Sequence, residues 1–239
     1  MLDYIHLPAS TIANKIITKS IFELAEISNS DKKLLTNNVV RIVWEYRIAP
    51  DNTNIRAVCN DTIDYSEIQI IQIELKQRAY ITRISDLILS SFQYPLLLVF
   101  TDSGESLFVA AHVRINQNDH SRLVVEDLIR TDWMRNEEVG CKFDLTKMRS
   151  NNLYELYDDI FNTIVRIRTE SKIHIEKELS SDEYKLIDKT ISEIDNQIAT
   201  LRSLLKTEDQ FNKQMEINNQ IKTLEFSKQQ FIQKIIKNN

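Results

Sequence analysis

Glycine and proline occur in only one part of this chain of 239 residues, and their absence from the rest limits the fold more than any other feature. There are only 2 glycines and 3 prolines, and all of them lie between Pro8 and Gly140. Because these residues interrupt helices, residues 150–239 can be helical almost throughout. The scarcity of glycine also argues against nucleotide binding through a glycine-rich loop, since the sequence has no G-x-G-x-x-G and no P-loop.

Composition and charge are those of an ordinary globular protein. Hydrophobic residues make up 42% of the sequence and charged residues 27%. The formal net charge of −5 gives no global signature for nucleic acid, so any contact with nucleic acid is expected to be local or indirect. Cys59 and Cys141 form no metal or redox motif and are expected as reduced thiols. With no signal peptide and no run able to cross a bilayer, we expect a cytoplasmic protein without a membrane partner.

Three segments are predicted along the chain. Residues 1–149 are expected to form an α/β (α+β) domain, with a small mixed β-sheet covered by helices. Residues 150–179 carry an amphipathic helical pattern that runs from Leu153 to about Leu179, and this helix is expected to pack on the first domain. Residues 180–239 are expected to form an antiparallel helical hairpin, or coiled coil.

The first segment alternates helical and strand-like patterns. Apolar residues at helical spacing predict a helix over 31–46, with Ser30 as its N-cap. The β-branched residues of 67–75 predict an interior strand, and a helix over 80–91 is expected to follow it.

A β-hairpin is predicted next in the chain. Its strands cover 95–101 and 106–115, and the turn Asp102-Ser103-Gly104-Glu105 joins them. Two weaker strands are predicted near 122–130 and 141–145. Together with the interior strand, these segments account for the small mixed sheet.

The last segment has a heptad pattern in two stretches. The pattern breaks between Leu205 and Ile217, so two helices folded back on each other explain it better than one continuous helix. Capping boxes that begin at Ser180 and Thr207 predict the two helix starts. The apolar seam is the candidate interaction surface for a partner protein or a second copy. Its residues are Ile187, Ile191, Ile194, Ile198, Leu201, Leu205, Ile217, Ile221, Leu224, Phe231 and Ile235.

A candidate catalytic pattern lies in the first segment. Pro50-Asp51 followed by Glu74-Leu75-Lys76 spells the motif of PD-(D/E)xK nucleases, and Asp64 or Glu67 could replace Asp51 as the first carboxylate. In such a site two carboxylates, for example Glu74 and Asp64, bind Mg²⁺ through oxygen, and the lysine orients the attacking water. The alternative is an exposed strand end with ordinary charges, and in that case no metal or other cofactor is expected.

Six blocks of residues occur in a familiar order and spacing. The blocks are 7–11, 42–50, 67–70, 94–98, 131–133 and 208–218. Together they resemble an uncharacterised bacterial family, a domain of unknown function about as long as this chain. Members of that family are often encoded beside DEAD-like helicases and adenine DNA methyltransferases in restriction-like or antiphage islands. The resemblance therefore implies an accessory subunit of such a complex.

Three functions are compatible with these patterns. The first is a non-catalytic interaction subunit that docks a helicase or a DNA methyltransferase through the C-terminal hairpin. The second is a Mg²⁺-dependent nuclease centred on Glu74 and Lys76. The third is a homodimeric structural protein whose hairpins associate into a four-helix bundle.

Overall fold

The chain has an α+β fold. Its computed structural model describes residues 2, 4–17, 27–119, 123–173, 175 and 179–238. By the density of internal contacts the chain divides into two compact units, Met1–Ile164 and Val165–Asn239. The sequence predicts domain boundaries after residues 149 and 179, whereas the observed division, after Ile164, lies between these two positions.

Eleven strands occur within the described ranges. They are β1 (Ile12–Ile16), β2 (Val39–Ile48), β3 (Val58–Cys59), β4 (Asp64–Tyr65), β5 (Ile68–Leu75), β6 (Leu96–Asp102), β7 (Glu105–Ala110), β8 (Val113–Ile115), β9 (Leu123–Val125), β10 (Ile129–Arg130) and β11 (Met134–Arg135). The main sheet has the order β1-β2-β5-β6-β7-β10, with β11 also paired to β7. β3 pairs with β4 and β8 with β9 in two small sheets.

Seven α-helices occur in the same part of the chain. They are α1 (Asn29–Asn38), α2 (Pro50–Thr53), α3 (Ile81–Ser91), α4 (Asn136–Lys142), α5 (Leu153–Lys172), α6 (Ser181–Thr207) and α7 (Phe211–Asn238). The division between the two units falls within α5. Among the described residues, none of these helices combines the length and the apolar character needed to cross a membrane.

The centre of the first unit is strand β5, which confirms the predicted interior strand. It runs antiparallel to β2 and parallel to β6, and α3 is the crossover between the two parallel strands. Ile71 and Ile73 are fully buried and pack in one cluster with Ile84 and Ile88 of α3. The helix predicted over 80–91 is therefore also confirmed, and it covers one face of the sheet.

The predicted β-hairpin is formed by β6 and β7, but its second strand ends at Ala110, and Val113–Ile115 of the predicted strand belong to β8 of a separate sheet. Ser103 and Gly104 both have positive φ, at 50° and 82°, which is the backbone form of a tight two-residue turn.

Tyr157 connects α5 to the main sheet. Its hydroxyl donates to the Leu96 carbonyl oxygen (2.7 Å) and accepts from the Ala111 N–H (3.2 Å). This side chain fastens the first half of α5 to the sheet, and its burial raises the pKa of the phenol.

The helix predicted over 31–46 is wrong in its second half. α1 ends at Asn38, and Val39 begins the long strand β2. Five of the residues from Val39 to Ile48 are Val or Ile, and pairing with β1 on one side and β5 on the other favours the extended form. The N-cap is Ser28 rather than Ser30, because its side chain accepts from the Asp31 N–H (3.1 Å).

Of the two weaker predicted strands, one is wrong and the other is divided into two short strands. The segment near 141–145 is not a strand, since α4 continues to Lys142 and a short 3-10 helix covers Leu145–Lys147. The segment near 122–130 contains two short strands, β9 and β10, and its residue 122 lies outside the described ranges. β1 was not predicted, because four of its five side chains are exposed and the segment lacks an alternating pattern.

The second unit contains the predicted helical hairpin. α6 and α7 hold 27 and 28 residues, and the capping box at Ser180 is present as predicted. The capping box predicted at Thr207 is wrong, because α6 continues through Thr207 and α7 begins at Phe211. α5 ends at Lys172 rather than near Leu179, and residues 176–178 lie outside the described ranges.

Candidate functional site

The predicted catalytic triplet lies at the carboxyl end of β5. Glu74 stands opposite Arg41 of β2, whose Nε donates to Glu74 Oε2 at 2.6 Å. The Lys76 Nζ donates to the carbonyl oxygen of Thr36 at 2.7 Å. Both charged groups of the triplet therefore have structural partners on neighbouring segments.

Two of the predicted partner carboxylates lie at the other end of the same strand. Arg47 Nη1 donates to Asp51 Oδ1 at 2.9 Å, and Arg47 Nε donates to Glu67 Oε2 at 2.6 Å. The hydrogen bond from Arg47 lowers the pKa of the Asp51 carboxyl. Arg47 pairs with Gln69, five residues before Glu74 on β5, so the two ends are about 17 Å apart.

The remaining candidate, Asp64, belongs to the small β3–β4 sheet. Its Oδ1 accepts from the Cys59 thiol (3.1 Å) and from the Ser66 N–H (2.9 Å). Within the described ranges, no group of three or more His, Cys, Asp or Glu residues is placed to hold a metal ion. The nuclease residues are not brought together with Glu74, and as arranged they do not fit Mg²⁺.

A polar cleft of about 520 Å³ lies beside the start of α3. Arg78 lies over the ring of Trp133 at 4.2 Å and forms ion pairs with Asp102 (2.7 Å) and Glu105 (2.6 Å). Arg83, which also lines the cleft, is paired with an aspartate of α1 at 2.8 Å. Nearby carboxylates balance these two guanidinium groups, while a third arginine of the cleft, Arg130, donates to the Thr82 hydroxyl (3.3 Å). Most of the basic charge at the cleft is therefore already paired.

One histidine, His112, packs among aromatic residues just after β7. His112 Nε2 lies 3.6 Å from Asp158 Oδ1, and His112 Nδ1 lies 3.4 Å from the Tyr65 hydroxyl. The imidazole also contacts the Phe161 ring, with centroids 4.4 Å apart. Its surroundings are largely aromatic and buried, which is typical of a packed structural histidine.

The predicted interaction residues of the hairpin fill its own interior. All eleven seam residues belong to two apolar clusters between α6 and α7. Near the start of α6, the fully buried Ile191 packs with Phe231 and Ile235. Nearer the loop, Ile198 packs with Ile217. The seam therefore stabilises the hairpin, and its partly buried members include Leu201 and Leu224.

Ion pairs flank the seam. Lys228, which takes a seam position of the second helix, donates to Asp195 Oδ1 at 2.6 Å. Arg202 Nη2 donates to Glu225 Oε1 at 2.8 Å. Since the earlier residue of α6 meets the later residue of α7, the two helices run antiparallel.

A row of exposed apolar side chains follows the outside of α7. Phe211, Met215, Phe226 and Ile236 have exposed fractions between 47% and 71%. At 100° per residue these four positions fall within about 80° of the helix circumference, and they span roughly 37 Å. We call this row the outer stripe. The heptad analysis missed it because it followed the seam, although the helical spacing of the four residues was a readable signal.

Comparison with known proteins gives a family but no characterised relative. A family model described as a domain of unknown function (DUF4391) matches residues 5–227. Comparisons with curated proteins and with solved structures find no match. The matched range includes nearly all of the first unit and ends within α7, so the family pattern extends well into the hairpin. The chain belongs to the DUF4391 family.

Proposed function

We propose that this chain is a non-catalytic accessory subunit of a restriction-like or antiphage complex, and that it docks a helicase or a DNA methyltransferase through the outer stripe of α7. The observation that carries the proposal is the alignment of four large apolar side chains on one face of a helix whose seam is already filled. A helix with such a face typically binds in a groove of a partner protein.

The size of the outer stripe suits a specific contact. Burying a Phe, Met or Ile side chain contributes roughly 1.5–3 kcal/mol each, so the four residues offer several kcal/mol before the costs of association. The apolar residues of the first unit, by contrast, lie mainly inside its core. The class of partner is taken from the resemblance to a family that is encoded beside helicases and methyltransferases.

The electrostatics of the first unit support an interaction role. Glu74 and Lys76 contact Arg41 and the Thr36 carbonyl, and Asp51 contacts Arg47. A metal-dependent site needs its carboxylates close together, whereas these groups pair separately at the two ends of a strand. The hairpin is therefore the better supported part of the chain for function.

The test is co-purification from the organism that encodes the chain. The tagged full-length chain is compared with a Phe211→Glu and Phe226→Glu double variant, which places charge on the outer stripe. The expected result is that wild type retains a helicase or a methyltransferase, identified by mass spectrometry, and that the variant retains at least tenfold less. Circular dichroism checks that the variant keeps its helices.

The matched control introduces the same two charges on the other helix of the hairpin. Ala199→Glu and Ser203→Glu alter two exposed positions of α6, and this control should keep the partner. Equal loss in the control, or full retention by the stripe variant, would contradict docking through the outer stripe. A wild-type chain that brings down neither enzyme class would contradict the proposed partner.

A further inference from the structure

The two arms of the hairpin carry nearly the same peptide. Residues 193–201 read Glu-Ile-Asp-Asn-Gln-Ile-Ala-Thr-Leu, and residues 216–224 read Glu-Ile-Asn-Asn-Gln-Ile-Lys-Thr-Leu. They differ only where Asn218 replaces Asp195 and Lys222 replaces Ala199. The first copy lies on α6 and the second on α7, 23 positions later.

The antiparallel pairing places these two peptides against each other. Asp195 contacts Lys228 and Arg202 contacts Glu225, so the stretches that contain the repeats run side by side in opposite directions. Two identical antiparallel segments are related by a twofold axis perpendicular to the plane that contains both helix axes. Rotation about this axis exchanges the two helices, so each residue of one copy takes the place of its counterpart in the other. Each of the two faces of the hairpin parallel to that plane is therefore mapped onto itself.

One of these faces holds a groove with that symmetry. The groove has a volume of about 750 Å³ and is lined on α6 by Asn196, Gln197, Thr200 and Leu201. The four residues that line it on α7 are the same four positions of the second repeat. The groove therefore presents an Asn-Gln-Thr-Leu set twice, once from each arm.

The lining of the groove is uncharged, whereas the other side of the hairpin is charged. Asp195 and Arg202, which form the two ion pairs, are two and five residues from Gln197, which places them about 140–160° around α6. Each Asn or Gln amide has both hydrogen-bond donors and an acceptor, so a row of amides can form hydrogen bonds with an identical row on a second copy. Two identical rows of like charge would repel each other instead.

Exposed leucines extend the groove along α6. Leu186 is 64% exposed and Leu204 is 50% exposed. They are 11 residues before and 7 residues after Gln197, so all three point within about 20° of one another. The groove itself thus offers uncharged polar contact, with an exposed leucine beyond it in each direction along α6. Glu193 and Glu216 lie one turn before Gln197 and Gln220 on the same face and border the groove.

We propose that this face binds the same face of a second copy of the chain, so that the two hairpins form a four-helix bundle. An isologous dimer requires one patch to be complementary to itself, and a twofold-symmetric, uncharged, amide-lined groove meets that requirement. In this dimer Phe211 stays available, since it is nine residues from Gln220 and lies about 180° around α7. Met215 and Phe226 lie within about 40° of Asn219 around the helix and therefore border the groove.

The dimensions set the expected strength. A face about 27 Å long and two helices, or about 20 Å, wide buries roughly 1,100 Å² over both copies. This area is near the lower limit for a specific interface, so we expect a weak dimer. The association must therefore be measured across concentrations rather than at a single dilution.

The experiment is sedimentation velocity of the full chain from about 1 to 200 µM. Wild type, with a chain mass of 28.1 kDa, should pass from monomer to a species of twice that mass. The Gln197→Glu and Gln220→Glu double variant puts four like charges into one interface and should weaken the dimer at least tenfold. Both positions are exposed, so the variant should keep its helices.

The control adds the same charge to the opposite side of the hairpin. Ala199→Glu and Gln229→Glu alter exposed positions and should leave the dimer intact. A wild-type chain that is monomeric at the highest concentration, or equal weakening in the control, overturns the proposal. A monomeric chain whose groove variant loses a helicase or methyltransferase also overturns it and assigns the groove to that partner. Since the groove and the outer stripe are altered separately, either proposal can fail alone.

Discussion

The two units of the chain handle apolar side chains in opposite ways. In the first unit the large apolar residues of β5, β6 and β7 are buried on both faces of the sheet. In the hairpin, α6 and α7 carry six of the eleven exposed large hydrophobic residues in the described part of the chain. A pair of helices has one seam, and apolar residues beyond it remain in water until another surface covers them. The difference points to the hairpin as the part built for contact.

Charged residues show the complementary difference. In the first unit, the residues that look catalytic in the sequence are bound into ion pairs across strands, such as Arg41 with Glu74. In the hairpin the ion pairs flank the seam, and the residues that line the groove are uncharged. Structural pairing therefore explains the charged motifs of the sheet, whereas the uncharged lining of the groove has no such internal explanation.

The largest expected effect compares two phenylalanines. Phe108 is fully buried and stacks on Phe143 at 4.9 Å, whereas Phe226 is 59% exposed. Phe108→Ala should lower the free energy of unfolding of the first unit by roughly 3–5 kcal/mol, because it leaves a cavity. Phe226→Ala should change the stability of the hairpin by less than about 0.5 kcal/mol.

Urea unfolding can follow the two units separately. Trp44 and Trp133 are the only tryptophans of the chain and both lie in the first unit, so their fluorescence reports on that unit. Helical circular dichroism reports on the hairpin as well. A loss of hairpin stability in Phe226→Ala comparable to that in Phe108→Ala would show that the outer stripe is part of a core, and the contrast would fail.

A smaller effect is expected at the start of the hairpin. The Ser180 side chain accepts from the Glu183 N–H (3.3 Å), and Glu183 Oε2 accepts from the Ser180 N–H (2.8 Å). Ser180→Ala should cost about 1 kcal/mol because it removes one half of this capping box. Hydrogen exchange in the first turn of α6 should rise, while the matched change Ser203→Ala, at an exposed position near the other end of the same helix, should not raise it.

The smallest effect is expected at the predicted catalytic strand. The Arg41–Glu74 pair is largely exposed, so Glu74→Ala should cost less than about 1 kcal/mol, similar to Glu105→Ala at the Arg78 ion pair. Thermal unfolding measures both changes. If the wild-type chain cleaves DNA in Mg²⁺ and only Glu74→Ala removes that cleavage, Glu74 is catalytic and the charge pattern described here has been misinterpreted.

Local pattern and tertiary pairing explain which parts of the fold could be predicted. The parts that could be predicted have a strong apolar periodicity or a characteristic turn in their own sequence. They are the interior strand, α3, the β6–β7 hairpin and the paired C-terminal helices. The run from Leu35 to Tyr46 has apolar residues at helical spacing, yet its second half pairs with two strands that are distant in sequence. Spacing along the sequence does not show that pairing, so it predicts a helix where the strand β2 forms.

The candidate sites show the same limit. Asp51 and Glu74 match a motif in one dimension, but the register of β2 against β5 places them at opposite ends of a strand. The eleven seam residues were correctly grouped, but only the structure shows that they pack against one another within the hairpin. The outer stripe and the repeated peptide were both readable in the sequence, because each depends only on spacing along a helix.

The repeated peptide also has a consequence for changes in chain length. A deletion of residues 201–223 would join Thr200 directly to Leu224. The joined segment would keep the apolar spacing of α6 without interruption, because Leu224 has the same place in the second copy that Leu201 has in the first. A single such event would turn a self-contained hairpin into one long helix with an uncovered seam, and that helix would have to find its partner on another molecule.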